Sequence, residues 1–204
     1  MREDSLAGRT LVVAVGSNAS AAVLRAKLAS VVRDTEPPMV RVTVSHLAAG
    51  HSAHVSARGY IPAAPYLSPG ARLRTVGAWL TDDETAVLDH TEPNYDRMML
   101  STADHPVVAT TVVPQTFSLY VSRHGILRDA HTAITVPLGS QRSAIRWLGE
   151  RLPDPALRGA AETVCRRLAE PPTAARLTAS IRSADLAGDA QLASTTSHEG
   201  VARR

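Results

Sequence analysis

Leu11-Val12-Val13-Ala14-Val15-Gly16-Ser17-Asn18 is an apolar run that stops at a glycine and turns polar. The run reads as a buried strand. Residues 16–18 then form a tight turn. Ser20 stands where it can cap a helix, and Leu24, Leu28 and Val31 follow at helical spacing. The opening unit is therefore strand, polar turn, helix, with the helix expected to reach about residue 32.

The chain continues in the same short-element style. Pro37-Pro38 closes the first unit, and Val40, Val42 and Val44 alternate as in a half-buried strand. Residues 48–58 are small, polar and His-containing, and a loop is expected there. Two prolines within residues 59–67 allow only an irregular or edge strand. Ser68-Pro69-Gly70 reads as a turn, and residues 73–80 resume a strand. Thr81-Asp82-Asp83-Glu84 is a capping box, in which the threonine bonds the third helical amide and the glutamate reaches back to the cap. It opens a short helix that Pro93 prevents from passing about residue 91. Glu92 thus stands just off a helix end. Strands are expected over residues 95–100, 107–113 and 117–122, with Phe117, Leu119 and Val121 facing one way and Ser118, Tyr120 and Ser122 the other. A turn follows at His124-Gly125. Beyond Pro137 the character becomes helical, with breaks at Pro153-Asp154-Pro155 and Pro171-Pro172. From Gly188 the sequence is polar and aperiodic, and a frayed tail is expected.

Strands first and helices last predict an α+β fold, a small mixed β-barrel or curled sheet with a helical C-terminal extension. The expected division is residues 1–136 for the barrel, 137–187 for the helical piece packed on it, and 188–204 for the tail.

Composition narrows the function classes. The chain has 204 residues, 44% of them hydrophobic, enough to bury a core. Only 3% are aromatic, so the core must be built from Val, Leu, Ile and Ala. The net charge of +3 is scattered rather than striped, which argues against nucleic acid as a partner. Lys27 is the single lysine among 22 basic residues. One cysteine, Cys165, excludes an intrachain disulfide and fits a reducing, cytoplasmic setting. It falls in an expected helix, as a structural thiol. The first apolar run is too short for a signal peptide and no stretch reaches transmembrane length, so a soluble intracellular protein is expected, without a membrane partner.

Two elements carry candidate chemistry. A glycine between a strand and a helix lets backbone amides approach a carboxylate or a developing oxyanion. The same residues are also common turn chemistry. Neither the Rossmann glycine spacing nor a phosphate-loop Gly-Lys is present. In Asp89-His90-Thr91-Glu92-Pro93-Asn94-Tyr95, a carboxylate at a helix end suits general acid–base work, and equally reads as a solvated loop acid. His51 and His54, with His46 nearby, have the spacing of a zinc pair. No acidic or cysteine partner stands at metal-site spacing, so no metal and no cofactor is expected. No Gly-x-Ser-x-Gly elbow supports a serine hydrolase.

The order of these elements resembles the γ-glutamyl cyclotransferase superfamily. The resemblance rests on Val12-Val13-Ala14-Val15-Gly16-Ser17-Asn18 with the helix carrying Leu24-Arg25-Ala26-Lys27-Leu28, on Gly59-Tyr60-Ile61-Pro62-Ala63-Ala64, and on Gly77-Ala78-Trp79-Leu80-Thr81. Leu88-Asp89-His90-Thr91-Glu92-Pro93-Asn94-Tyr95 completes it, and the likeness spans about residues 10–125. It implies that Glu92 is the catalytic acid/base and that Val15, Gly16, Ser17 and Asn18 form the substrate loop, with Tyr95 and Tyr120 lining the pocket. The implied activity releases 5-oxoproline from a γ-glutamyl amine or a related biosynthetic intermediate. Two departures bear on this. Val15 replaces the family's loop tyrosine, and Pro93 replaces the glycine after the glutamate. Together with the extra helices they motivate an alternative, a non-catalytic barrel that binds a small molecule or a protein. The amphipathic helix from Ser140 is expected to pack on the barrel or to mediate a homodimer.

Overall fold

The computed structural model describes residues 6–31, 36–110 and 112–194. The chain is α+β, and its main element is a six-stranded mixed sheet in the order β4-β6-β1-β3-β2-β5. The strands are β1 (Thr10–Val13), β2 (Met39–His51), β3 (Ala63–Leu80), β4 (Tyr95–Ser101), β5 (Val107–Ala109) and β6 (Thr116–Ser122). β1 and β6 run parallel, and the other pairs are antiparallel. The expected barrel does not close, because β4 and β5, the two edges, do not pair among the described residues. They are nevertheless consecutive in the chain. Residues 102–106 bridge them, and a link of that length reaches at most about 20 Å. The sheet must therefore curl so that its edges approach.

β1 lies inside the sheet and is buried on both faces, which is why its sequence is apolar without alternation. Leu11 and Val13 face a core with Val42, Leu47, Trp79, Phe117 and Leu119. Val12 faces the opposite core, with Leu24, Leu28, Leu80, Leu88 and Tyr120. The facing expected for β6 holds, since Phe117, Leu119 and Val121 join the first core and Tyr120 the second. Helices α1 (Ala21–Lys27) and α2 (Asp82–His90) cover that second face.

Several boundaries differ from expectation, each for a physical reason. β2 runs on through His51 where a loop was expected, because Ala48, Ala49 and Gly50 pair with Tyr66, Pro65 and Ala64. Pro65 lies in the part of β3 that pairs with β2 but not with β1, where a missing amide is tolerated. Ser68-Pro69-Gly70 does turn locally but does not end the strand. It is an excursion opposite His46, between the pairs Ser45↔Arg72 and Leu47↔Leu67. Gly70 and His46 both take positive φ there, and the Gly70 amide donates to His46 Nδ1 at 3.0 Å. Ser20 holds the cap position of α1 without a side-chain bond, and α1 is shorter than expected. Residue 32, the expected helix end, lies outside the described residues. β5 stops at Ala109.

The capping box forms as expected: Thr81 Oγ1 accepts from the Glu84 amide, and Glu84 accepts from the Thr81 amide at 2.8 Å. The C-terminal helices are α3 (Gln141–Gly149), α4 (Ala161–Leu168) and α5 (Pro171–Ser183). Pro171 and Pro172 open α5 rather than merely breaking the chain, since the first helical turn needs no amide donors. The apolar face of α3, through Ala144, Ile145 and Leu148, is buried within the chain against a core that includes Val55, Ile61 and Leu127. Gly188 does not begin a frayed tail. β8 (Ala187–Gly188) pairs with β7 (Ile126–Leu127), Ala190 is buried, and its carbonyl accepts from the Leu67 amide. Only residues 195–204 of the expected tail lie outside the described residues. No helix among the described residues is long and apolar enough to cross a membrane.

Candidate active site

The strand-turn-helix and the α2 exit meet at one cleft of about 860 Å³. β1 delivers the Gly16 turn to its rim. Gly16 precedes a single 3-10 turn, Ser17–Ala19, that leads into α1. A Cβ on Gly16 would meet only Ala63 Cβ, at 3.6 Å, so glycine keeps this rim open rather than relieving a clash. Gly16 and Ser17 are exposed, while Val15 and Asn18 are half-buried.

Across the cleft, α2 ends at His90 and the chain makes a tight turn over Glu92-Pro93-Asn94-Tyr95, closed by the Tyr95 amide bonding the Glu92 carbonyl at 3.0 Å. Proline at the second position suits such a turn, so the departure at Pro93 fixes the loop that carries Glu92. α2 is held to the sheet below. Tyr120 on β6 donates its hydroxyl to Asp89 Oδ1 at 2.7 Å, and Arg97 on β4 donates to both Asp89 oxygens. Burial pushes the Asp89 carboxyl up, but the Arg97 and Tyr120 bonds outweigh it and leave Asp89 below its ordinary value. The Tyr120 phenol is pushed well up by burial and by its bond to Asp89.

Glu92 meets the turn through side chains. Asn18 Nδ2 donates to Glu92 Oε1 at 2.8 Å, and Lys27 Nζ donates to the same oxygen at 2.5 Å. Lys27 also donates to Asn18 Oδ1 at 2.8 Å, closing a three-member ring. The Lys27 and Glu92 side chains are 20% and 14% exposed, so the pair is shielded yet reachable from the cleft. Both donors converge on Oε1. Among the described residues Oε2 receives no protein donor, which leaves it available for proton transfer with a ligand.

The cleft thus brings together Glu92, Val15, Gly16, Ser17, Asn18, Tyr95 and Tyr120, all of which line it. The two tyrosines do so as rings. Their hydroxyls are committed elsewhere, Tyr120 to Asp89 and Tyr95 to the Ala63 carbonyl at 3.1 Å. Burial, reinforced by Glu92, holds the Tyr95 phenol well above its ordinary value. Two residues escaped the sequence reading as site members. Lys27 reaches the cleft from one turn into α1's far end, and its signal was its isolation as the single lysine in an arginine-rich chain. His54 also lines the cleft, beside Tyr95. The suspected histidine pair is divided between separate partners. His51 Nε2 accepts from the Gly139 amide at 3.1 Å, whereas His54 Nδ1 meets Ser52 Oγ at 2.6 Å. Among the described residues no group of His, Cys, Asp and Glu has the arrangement of a metal site. Cys165 on α4 is half-buried, and burial raises its thiol.

No known family's sequence profile matches the chain, and no curated protein matches it. Solved structures do. A gamma-glutamyl cyclotransferase structure is 12% identical, with a TM-score of 0.42, over 94% of this chain and 95% of its own. An uncharacterised Homo sapiens protein gives the same TM-score of 0.42 and 12% identity over 94% of this chain and 95% of its own. An Arabidopsis thaliana protein solved in solution is 18% identical, with a TM-score of 0.41, over 57% of this chain and 70% of its own. At TM-scores of 0.41 and 0.42 these likenesses carry no argument about chemistry, and the reading of the site rests on its own geometry.

Proposed function

We propose that the chain is a γ-glutamyl cyclotransferase-like enzyme with Glu92 as its acid/base. One observation carries this reading. A shielded carboxylate, fixed through one oxygen by Asn18 and Lys27, sits beside the Gly16 turn in a cleft large enough for a small substrate. Glu92 Oε2 takes a proton from the α-amine of a γ-glutamyl group. The amine nitrogen attacks the γ-carbonyl carbon of the same residue, and a five-membered lactam closes. As the tetrahedral intermediate collapses, the amide C–N bond breaks and Glu92 returns the proton to the departing amine. The products are 5-oxoproline and a free amine.

The attack is intramolecular, so holding the chain in a folded conformation supplies much of the rate. The Gly16 turn offers backbone amides for the glutamyl carboxylate or the oxyanion. Lys27 keeps the Asn18 and Glu92 side chains aligned across the cleft. Val15 leaves the rim without the ring and hydroxyl that the resemblance leads one to expect, so substrate selection falls to the other residues that line the cleft. Residence in the cytoplasm belongs to the same proposal, in keeping with the lone cysteine. The test is to incubate the protein with a panel of γ-glutamyl amines and dipeptides and to look for 5-oxoproline by mass spectrometry. Turnover of at least one member is expected, and a panel without product overturns the reading.

A further inference from the structure

Behind Tyr95 the cleft wall holds a buried polar chain that the mechanism above does not use. His54 is 2% exposed and lines the cleft. Its Nδ1 meets Ser52 Oγ at 2.6 Å, and Ser52 Oγ meets Ser122 Oγ at 2.6 Å. Ser122 Oγ also accepts from the His124 amide at 3.0 Å. The His54 ring stacks on His124, with centroids 4.4 Å apart, and meets the edge of Tyr95 at 5.8 Å. Tyr95 bonds the Ala63 carbonyl, and Ala63 also faces Gly16. His54 is therefore one ring removed from the substrate turn.

The hydroxyl protons of this chain favour one tautomer. If Ser122 donates to Ser52 and Ser52 donates to His54 Nδ1, every hydroxyl proton in the chain has an acceptor. If instead His54 Nδ1 donates to Ser52, Ser52 must donate either to Ser122, whose own proton then has no acceptor among the described residues, or toward the Tyr95 hydroxyl, a weaker contact than the two 2.6 Å bonds. Both serines are buried, and an unmet buried donor is costly. The first arrangement is preferred, so Nδ1 accepts. A neutral imidazole that accepts at one nitrogen carries its proton on the other. Nε2 is then an N–H donor, and among the described residues it meets no protein acceptor.

We infer that His54 offers the cleft a neutral Nε2–H donor for an oxygen acceptor on its ligand, such as an amide carbonyl or a carboxylate. This deepens the cyclotransferase reading and rests on it for the identity of that ligand. Neutrality is built in. Burial first, and the neighbouring His124 second, bring His54 down to about 4, so the ring stays uncharged at neutral pH. A neutral donor positions a carbonyl without the desolvation cost of a buried cation.

The experiment has two arms on the full chain. Two-bond proton–nitrogen NMR of the 15N-labelled protein at neutral pH should show His54 neutral with Nε2 protonated, and Ser52→Ala should blur that preference into a mixture. A His54 with Nδ1 protonated in the wild type overturns the inference. The second arm measures kcat and KM, on whichever γ-glutamyl compound reacts, for His54→Gln, which keeps an N–H near the Nε2 position, and for His54→Leu. His54→Leu should raise KM about tenfold with kcat nearly unchanged, and His54→Gln should recover most of the loss. An unchanged KM in His54→Leu also overturns it. Should no γ-glutamyl compound react, the cyclotransferase reading falls, and the tautomer alone decides for or against His54.

Discussion

Acidification should loosen this fold through His54. The ring is held at about 4 by burial and by His124, against an ordinary value of 6.5. The folded state therefore keeps His54 neutral, while the unfolded chain takes up a proton as pH falls below 6.5. Stability from this group is fully present above that value and is lost progressively as pH falls toward 4. Lowering from 6.5 to about 4 corresponds to roughly 3 kcal/mol when complete, most of which is gone by pH ~4.5. His51 and His124 are also lowered by burial and add to the wild-type slope in the same sense, with Arg182 and Arg123 reinforcing His124. Asp89, Asp129 and Asp154 are held below their ordinary values, so their contributions are lost only at still lower pH. Subtraction of a variant isolates His54. Urea unfolding of wild type and His54→Gln at pH ~7.5 and ~4.5 should show their stability difference moving by roughly 2 to 3 kcal/mol in favour of the variant at low pH. A difference that stays constant within about 0.5 kcal/mol refutes the claim that the folded state keeps this ring buried and neutral.

Other outcomes follow from the same geometry. Gly59 has φ +77, and a Cβ there would fall 1.9 Å from the Cys165 carbonyl and 2.5 Å from the Ala169 amide, so Gly59→Ala should cost about 2–4 kcal/mol in urea unfolding as α4 is pushed away from Gly59. Thr81→Ala removes one arm of the capping box and should cost about 1 kcal/mol in the same assay. Lys27→Met leaves Glu92 held by Asn18 alone, and should lower kcat/KM for the reacting γ-glutamyl compound at least about tenfold while the protein remains folded by circular dichroism.

Much of the frame was legible because its signals are local. The Leu11-to-Asn18 stretch, the capping box at Thr81 and the Pro93 stop each encode their structure within a few residues, and they correctly left Glu92 off a helix end. The pairing of Glu92 with the Gly16 turn came from the order of the elements rather than from either alone. What stayed hidden depends on distant partners. Lys27 meets Glu92 across 65 positions, and Ser52 meets Ser122 across 70. A lone lysine and a serine near a histidine say nothing of that until the sheet curls. The openness of the sheet was hidden for a similar reason, since strand patterning specifies faces and not whether two edges meet. The excursion at Ser68-Pro69-Gly70 shows the opposite case: its turn chemistry was read correctly, while the long β2–β3 pairing carried the strand past it.

The proposed reaction turns on the proton carried by Glu92. Glu92→Gln keeps an oxygen for Asn18 and Lys27 but cannot accept a proton. Measured on the most reactive γ-glutamyl compound, with 5-oxoproline quantified by mass spectrometry, this variant should lose about a hundredfold or more in kcat with its fold intact. A variant that keeps kcat within about threefold of the wild type contradicts the assignment of Glu92 as the acid/base.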